Sequence, residues 1–124
     1  MKIRIFDVFS LNRAIEDLIT QDIKMSFVCG YNLCQMKKEL DNIELYTVER
    51  LNKVINTEHL NNNSLTEEEE IIYSAIMNSE IEIKNYGFIV DELKKSSTIE
   101  VGLNDIACIC EILNEKNNTS LIEN

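Results

Sequence analysis

Four cysteines, one histidine and twenty-two carboxylates are the residues of this 124-residue chain that could do chemistry. Cys29 and Cys34 stand five apart, and Cys108 and Cys110 two apart. A cysteine zinc site wants Cys-x-x-Cys knuckles on freed backbone. Both pairs fall instead in stretches with helical periodicity. Positions i and i+2 diverge by about 200° around a helix, so Cys108 and Cys110 cannot share an ion. The spacing is that of small thiols buried in a core, and no metal site is expected. A thiolate nucleophile needs a base, and His59 is the one histidine. It stands beside the polar run Asn61-Asn62-Asn63 and reads as a solvated loop residue. No catalytic residue is assigned, and the chain is not expected to be an enzyme.

The carboxylates have more pattern. Glu67 to Glu70 follow Thr66, and Thr66 with Glu69 three residues on is a capping-box signature. Four acids in a first helical turn favour the positive end of the helix dipole, but they radiate around it. They therefore do not face one another as an acid/base pair would. Glu80, Glu82 and Glu100 fall on strand positions of one parity and could line the outer face of a sheet as an acidic stripe. Phosphate chemistry has little support. Gly30, Gly87 and Gly102 are too far apart for a Gly-rich cradle. Arg4, Arg13 and Arg50 are the only guanidinium forks. A nucleotide pocket would have to use Arg50 or Lys84 across a dimer interface. No cofactor is expected.

The formal net charge is −10, and it is unevenly placed. Residues 1–57 hold equal numbers of basic and acidic side chains, so the whole excess lies in residues 58–124. An acidic surface repels phosphate backbones, which disfavours direct nucleic-acid binding. It keeps the chain soluble, and it also suits a basic protein partner. The opening stretch Met1 to Asp7 has too short an apolar run, broken by a carboxylate, for a signal peptide. No stretch approaches the roughly 20 apolar residues of a membrane span. A cytoplasmic setting with reduced thiols is expected.

These residues must be positioned by a short series of elements. Ile3 and Ile5 alternate with Lys2 and Arg4, as in a short strand. Asp7 can cap a helix over about 8–20, with Val8, Leu11, Ile15, Leu18 and Ile19 on one face. The organising element is a long helix over about 22–57, capped by Thr20 or Asp22. Its first turns carry Ile23, Met25, Phe27, Val28, Tyr31 and Leu33, so that end is expected to be the more buried. A third helix runs from Thr66 to near Ser79, with Ile71, Ile72, Ala75 and Ile76 inward. Residues 80–84 and 98–101 alternate as strands on either side of the turn Tyr86-Gly87-Phe88, with 89–95 unassigned. A last helix over about 104–115 turns Ile106, Ile109, Cys110 and Leu113 inward. The expected fold is α+β, mostly α: three to four helices, one of them long, with a two- or three-stranded antiparallel sheet. Residues 1–115 form a single domain and 116–124 a polar tail.

Along the long helix, Leu33, Met36, Leu40, Ile43, Thr47, Leu51 and Val54 follow a near-heptad seam. Such a stripe needs cover. Helices one and three could supply it within the chain, or a second copy could pair antiparallel to form a homodimer through Met36, Leu40, Ile43, Leu51 and Val54.

The order of these elements resembles a family of small acidic phage proteins of unknown function from siphophages and prophages of Gram-positive bacteria. The resemblance is carried by Lys2 to Phe6, Leu11 to Ile19, Lys24 to Ile55, Glu67 to Met77, Ser79 to Lys84 with its Glu80-Ile81-Glu82-Ile83 stretch, Thr98 to Val101, and Leu103 to Leu113. It covers most of the chain and brings no catalytic residues with it. It implies a phage or prophage origin, and a role in the virion or in takeover of the host. Together with the charge, it gives the leading expectation: a binding protein that inhibits a host nucleic-acid-handling defence enzyme in the manner of an anti-CRISPR protein. Its partner would be a basic host protein such as a CRISPR effector nuclease, met in the bacterial cytoplasm. The binding residues would be Glu67, Glu68, Glu70, Glu82, Asp91, Glu92 and Glu100. The alternatives are a structural or late-operon phage protein acting through self-association of the long helix, and a nucleotide-signal-binding protein.

Overall fold

The computed structural model describes residues 1–20, 26–84, 86 and 105–113. The expectations for the start of the long helix (22–25), for Gly87 to Lys95, for the strand 98–101 and for the tail lie outside the described residues. The chain is mostly helical, with one small sheet, as the sequence patterns predict. Its elements are β1 (Lys2–Arg4), α1 (Ile5–Thr20), α2 (Phe27–Val54), α3 (Thr57–Asn61), α4 (Glu67–Met77) and β2 (Glu80–Glu82). A further helix, α5, covers residues 105–113.

β1 and β2 pair antiparallel, with Lys2 opposite Glu82, Ile3 opposite Ile81 and Arg4 opposite Glu80. Backbone bonds extend the pairing at both ends, Ile83 N–H to Met1 O at 2.8 Å and Ile5 N–H to Ser79 O at 2.9 Å. Ile5 is thus tied to the end of the sheet and is also the first residue of α1. The helix therefore starts at Ile5 rather than after an Asp7 cap. Asp7 lies inside it, largely buried, with Arg4 reaching back to its carboxylate at 3.4 Å.

α1 and α2 form the spine. The links Asn12 to Asp41 and Glu16 to Lys37 descend one helix while climbing the other, so the two run antiparallel. Their facing stripes bury Val8, Leu11, Ile15 and Leu18 against Leu33, Met36 and Leu40. α5 adds Ile106, Ile109, Cys110 and Leu113 to the same core, as their periodicity predicts. Thr47 is buried as well, its hydroxyl donating to Ile43 O one turn back at 2.7 Å.

Further readings are corrected by the structure. α2 is capped not by Thr20 or Asp22 but by Ser26, whose Oγ accepts from Cys29 N–H at 3.1 Å. Its first turns bury Cys29 and Leu33, but of the other apolar residues there Phe27 is 86% exposed and Val28 and Tyr31 are 56% exposed. The Asn-rich stretch is not all loop, because Asn56 caps the short helix α3. The inward stripe of α4 is not inward. Ile71 is 70% exposed, Ile72 and Ala75 are exposed, and burial on this helix is confined to Met77 with Ile76 half-covered.

Candidate interaction surface

The first turn of α4 is the best-positioned group of charges. Thr66 Oγ1 accepts from Glu69 N–H at 3.2 Å and Glu69 Oε1 accepts from Thr66 N–H at 3.0 Å, the reciprocal capping box that the sequence predicts. Glu69 also reaches out of its helix. Its Oε2 accepts from Asn56 N–H at 3.0 Å, and its Oε1 lies 2.7 Å from His59 Nδ1. One carboxylate thus joins the Asn56 turn, α3 and the head of α4. Hydrogen bonds from Thr66 N–H and then Asn56 N–H stabilise its charged form and hold its pKa down at about 2, with His59 adding to both. His59 is therefore a fastening residue on α3 and not a solvated loop residue.

With Glu69 turned inward, Glu67, Glu68 and Glu70 are exposed and make no ion pair among the described residues. The structure brings these three predicted residues together. It does not bring Glu82 to them as a free charge. Glu82 accepts from the Met1 ammonium at 2.8 Å and stands opposite Lys2, and the ammonium bond first of all holds its pKa below the usual range. Glu80 stands opposite Arg4 in the same way. Cross-strand pairs of opposite sign replace the acidic stripe expected on this part of the sheet. Asp91, Glu92 and Glu100 lie outside the described residues.

Of the two covers that the sequence allows for the long-helix seam, the structure shows the one within the chain. Met36 and Leu40 are wholly buried within the chain and Leu51 is 7% exposed, while Ile43 and Val54 are half-buried. α1 covers the centre of the stripe, and its outer positions are left partly open.

A second arrangement has no counterpart among the expected site residues. Asn12 Nδ2 donates to Asp41 Oδ1 at 2.8 Å, and Lys37 Nζ bridges Glu16 at 2.8 Å and Asp41 at 3.1 Å. Lys37 Nζ also lies 3.3 Å from Asn12 Oδ1. The Glu16 hydrogen bond leads in raising the Lys37 pKa, and the Asn12 bond leads in lowering that of Asp41. This network crosses a groove of about 890 Å³ between α1 and α2, to which α4 contributes Tyr73 and Met77 and α5 contributes Asp105 and Cys108. The i,i+4 pair Lys37/Asp41 was visible in the sequence, but its meeting with Asn12 and Glu16 depends on how α1 docks on α2.

No protein-family model, curated protein or solved structure matches the chain.

Cys108 faces the groove, but burial first, and then the charges of Glu111, Asp105 and Asp7, push its pKa up, away from a reactive thiolate. Among the described residues no group of three or more His, Cys, Asp or Glu side chains could hold a metal ion. No described helix is long and apolar enough to cross a membrane.

Proposed function

We propose that the chain is an acidic binding protein of phage type, which engages a basic nucleic-acid-handling protein of the host through the head of α4 and competes there with the nucleic acid. The observation that carries this reading is the exposed, unpaired set Glu67, Glu68 and Glu70 on a turn fastened by Glu69. Three charges spread over about 4.5 Å of helix axis approach the density of duplex DNA, about one charge per 1.7 Å. The positive end of the helix dipole offsets roughly half a charge of this. The fastening matters because a preorganised charge cluster needs less ordering on binding. The chain's net charge of −10 adds long-range attraction toward a basic cleft.

The test uses an RNA-guided nuclease of a Gram-positive host and reads DNA binding and cleavage with and without this protein. Inhibition is expected to weaken steeply with added salt, because exposed charges are screened beyond about 10 Å at 0.1 M. The variant Glu67→Lys/Glu68→Lys/Glu70→Lys is expected to lose at least tenfold in inhibition with its far-UV spectrum unchanged. Normal inhibition by a folded triple variant would sink the proposal.

A further inference from the structure

The groove between α1 and α2 holds an uncovered apolar surface beside an excess of acid, five carboxylates against Lys37 and Arg13. Phe6 is 54% exposed, Val48 45% and Tyr73 36%, and all three line it. Of its carboxylates, Glu16 and Asp41 are held by Lys37. Asp17, Glu44 and Asp105 make no ion pair among the described residues. Asp17 on α1 and Asp105 on α5 are close enough to hydrogen-bond, and burial, followed by the Asp17 charge, raises the pKa of Asp105. Two like charges brought together by different helices are relieved by a cation placed between them. The α1 lining runs from Phe6 to Asp17, about 16 Å or three helical turns. Two antiparallel helices with an open groove between them present the seat that a third helix fills in ridge-and-groove packing.

We propose that this groove docks a basic amphipathic helix of a partner protein, its apolar face on Phe6, Val48 and Tyr73 and a Lys or Arg side chain between Asp17 and Asp105. Charge selects this occupant. A second copy of the chain would bring another net charge of −10 against an acidic groove, and a nucleic acid would bring phosphates. The inference deepens the reading of the chain as a binder of basic proteins and rests on it for the partner's sign, but it uses a different surface from the head of α4.

The probe is a fluorescently labelled amphipathic Lys/Leu peptide of about five helical turns. A scrambled peptide of the same composition and a Glu/Leu counterpart serve as controls, and binding is followed by anisotropy. The expected result is saturable one-to-one binding of the amphipathic peptide, at least tenfold weaker binding of the scrambled one, and none of the Glu/Leu peptide. Asp17→Asn/Asp105→Asn should weaken binding about tenfold, and Val48→Lys should abolish it. Both should keep the wild-type far-UV spectrum, and neutralising two adjoining acids gives the double variant no reason to unfold. Glu67→Lys/Glu68→Lys/Glu70→Lys should leave peptide binding within about twofold, since it acts only through long-range charge. Equal binding of the scrambled peptide would overturn the proposal. So would full binding by both groove variants, or a dimer in light scattering that excludes the peptide. Loss of binding in the α4 variant alone would move the peptide to α4 and overturn the groove while leaving the proposed function standing.

Discussion

Replacing Leu40 by alanine tests whether α2 is the spine of one chain or the seam between two. Leu40 is wholly buried, facing α1 near the middle of α2. Truncating such a leucine removes its transfer free energy and leaves a cavity between two long helices that cannot easily close. The expected loss is about 3–4 kcal/mol. A domain of this kind has about 5–15 kcal/mol of stability in all, so the variant should fold but be severely weakened. With a urea slope of about 1.5 kcal/mol per molar, the midpoint should fall by about 2 M with the slope unchanged. The assay is urea unfolding followed by far-UV circular dichroism, at two protein concentrations tenfold apart. A core residue of a single chain gives midpoints independent of concentration in both proteins, whereas a subunit seam makes stability rise with concentration. Val54→Ala, at a half-buried position on the same stripe, should cost about 1 kcal/mol or less. A midpoint shift below about 0.5 M for Leu40→Ala, together with loss of an oligomer, would refute the placement of this residue in the core.

Two pH-dependent outcomes follow from the titrating groups. Glu69, lowered to about 2 from an ordinary 4.5, contributes stability that is complete above about pH 4.5 and disappears as pH falls toward 2. Glu69→Gln should be less stable than wild type at neutral pH, with the gap closing across that acid window; parallel stability profiles would contradict the role given to its hydrogen bonds. Tyr86 is raised to about 12, chiefly by burial and then by its 2.8 Å hydrogen bond to Glu39, so its contribution is complete below about pH 10 and is lost as pH rises toward 12. Tyr86→Phe should lose about 1 kcal/mol at neutral pH and flatten the alkaline fall, as read by thermal melts. An unchanged alkaline slope would count against it.

Periodicity located the core well where both partners of a contact were long helices. Leu33, Met36, Leu40 and Leu51 recur on one face of α2 and are buried, as are Val8, Leu11, Ile15 and Leu18 on α1. The reason is geometric, since a long amphipathic stripe repeats its apolar side over several turns and most of that length must be covered. The same rule misplaced α4. Ile71, Ile72 and Ala75 share a helical face, but periodicity reports which side is apolar and not whether anything lies against it. The apolar residues at the head of α2 misled in the same way. Local chemistry was more legible. Thr66 and Glu69 form their capping box because both partners sit within one turn. The further bonds of Glu69 to Asn56 and His59 close a loop of ten to thirteen residues, and no short-range pattern announces them. The network of Asn12, Lys37 and Asp41 lies further still from sequence reasoning, because it exists only at one docking register of α1 on α2.

The charge distribution changes meaning once the partners are known. A net charge of −10 confined to the second half suggests a broad acidic face. Part of that acid is answered within the chain: Glu82 by the Met1 ammonium and Glu69 by two backbone N–H groups and His59, with Glu80 set across the sheet from Arg4. The neutral first half, conversely, is not inert. It supplies Asp17 and Glu44 to the groove, where Lys37 is already committed to Glu16 and Asp41. Among the described residues, acids without an ion pair stand on the first turn of α4 and along the groove of α1 and α2. The Glu69 crosslink fixes one of these clusters and the packing of α5 in the core of α1 and α2 fixes the other, so the charges that are left stand on rigid elements and not on loose chain.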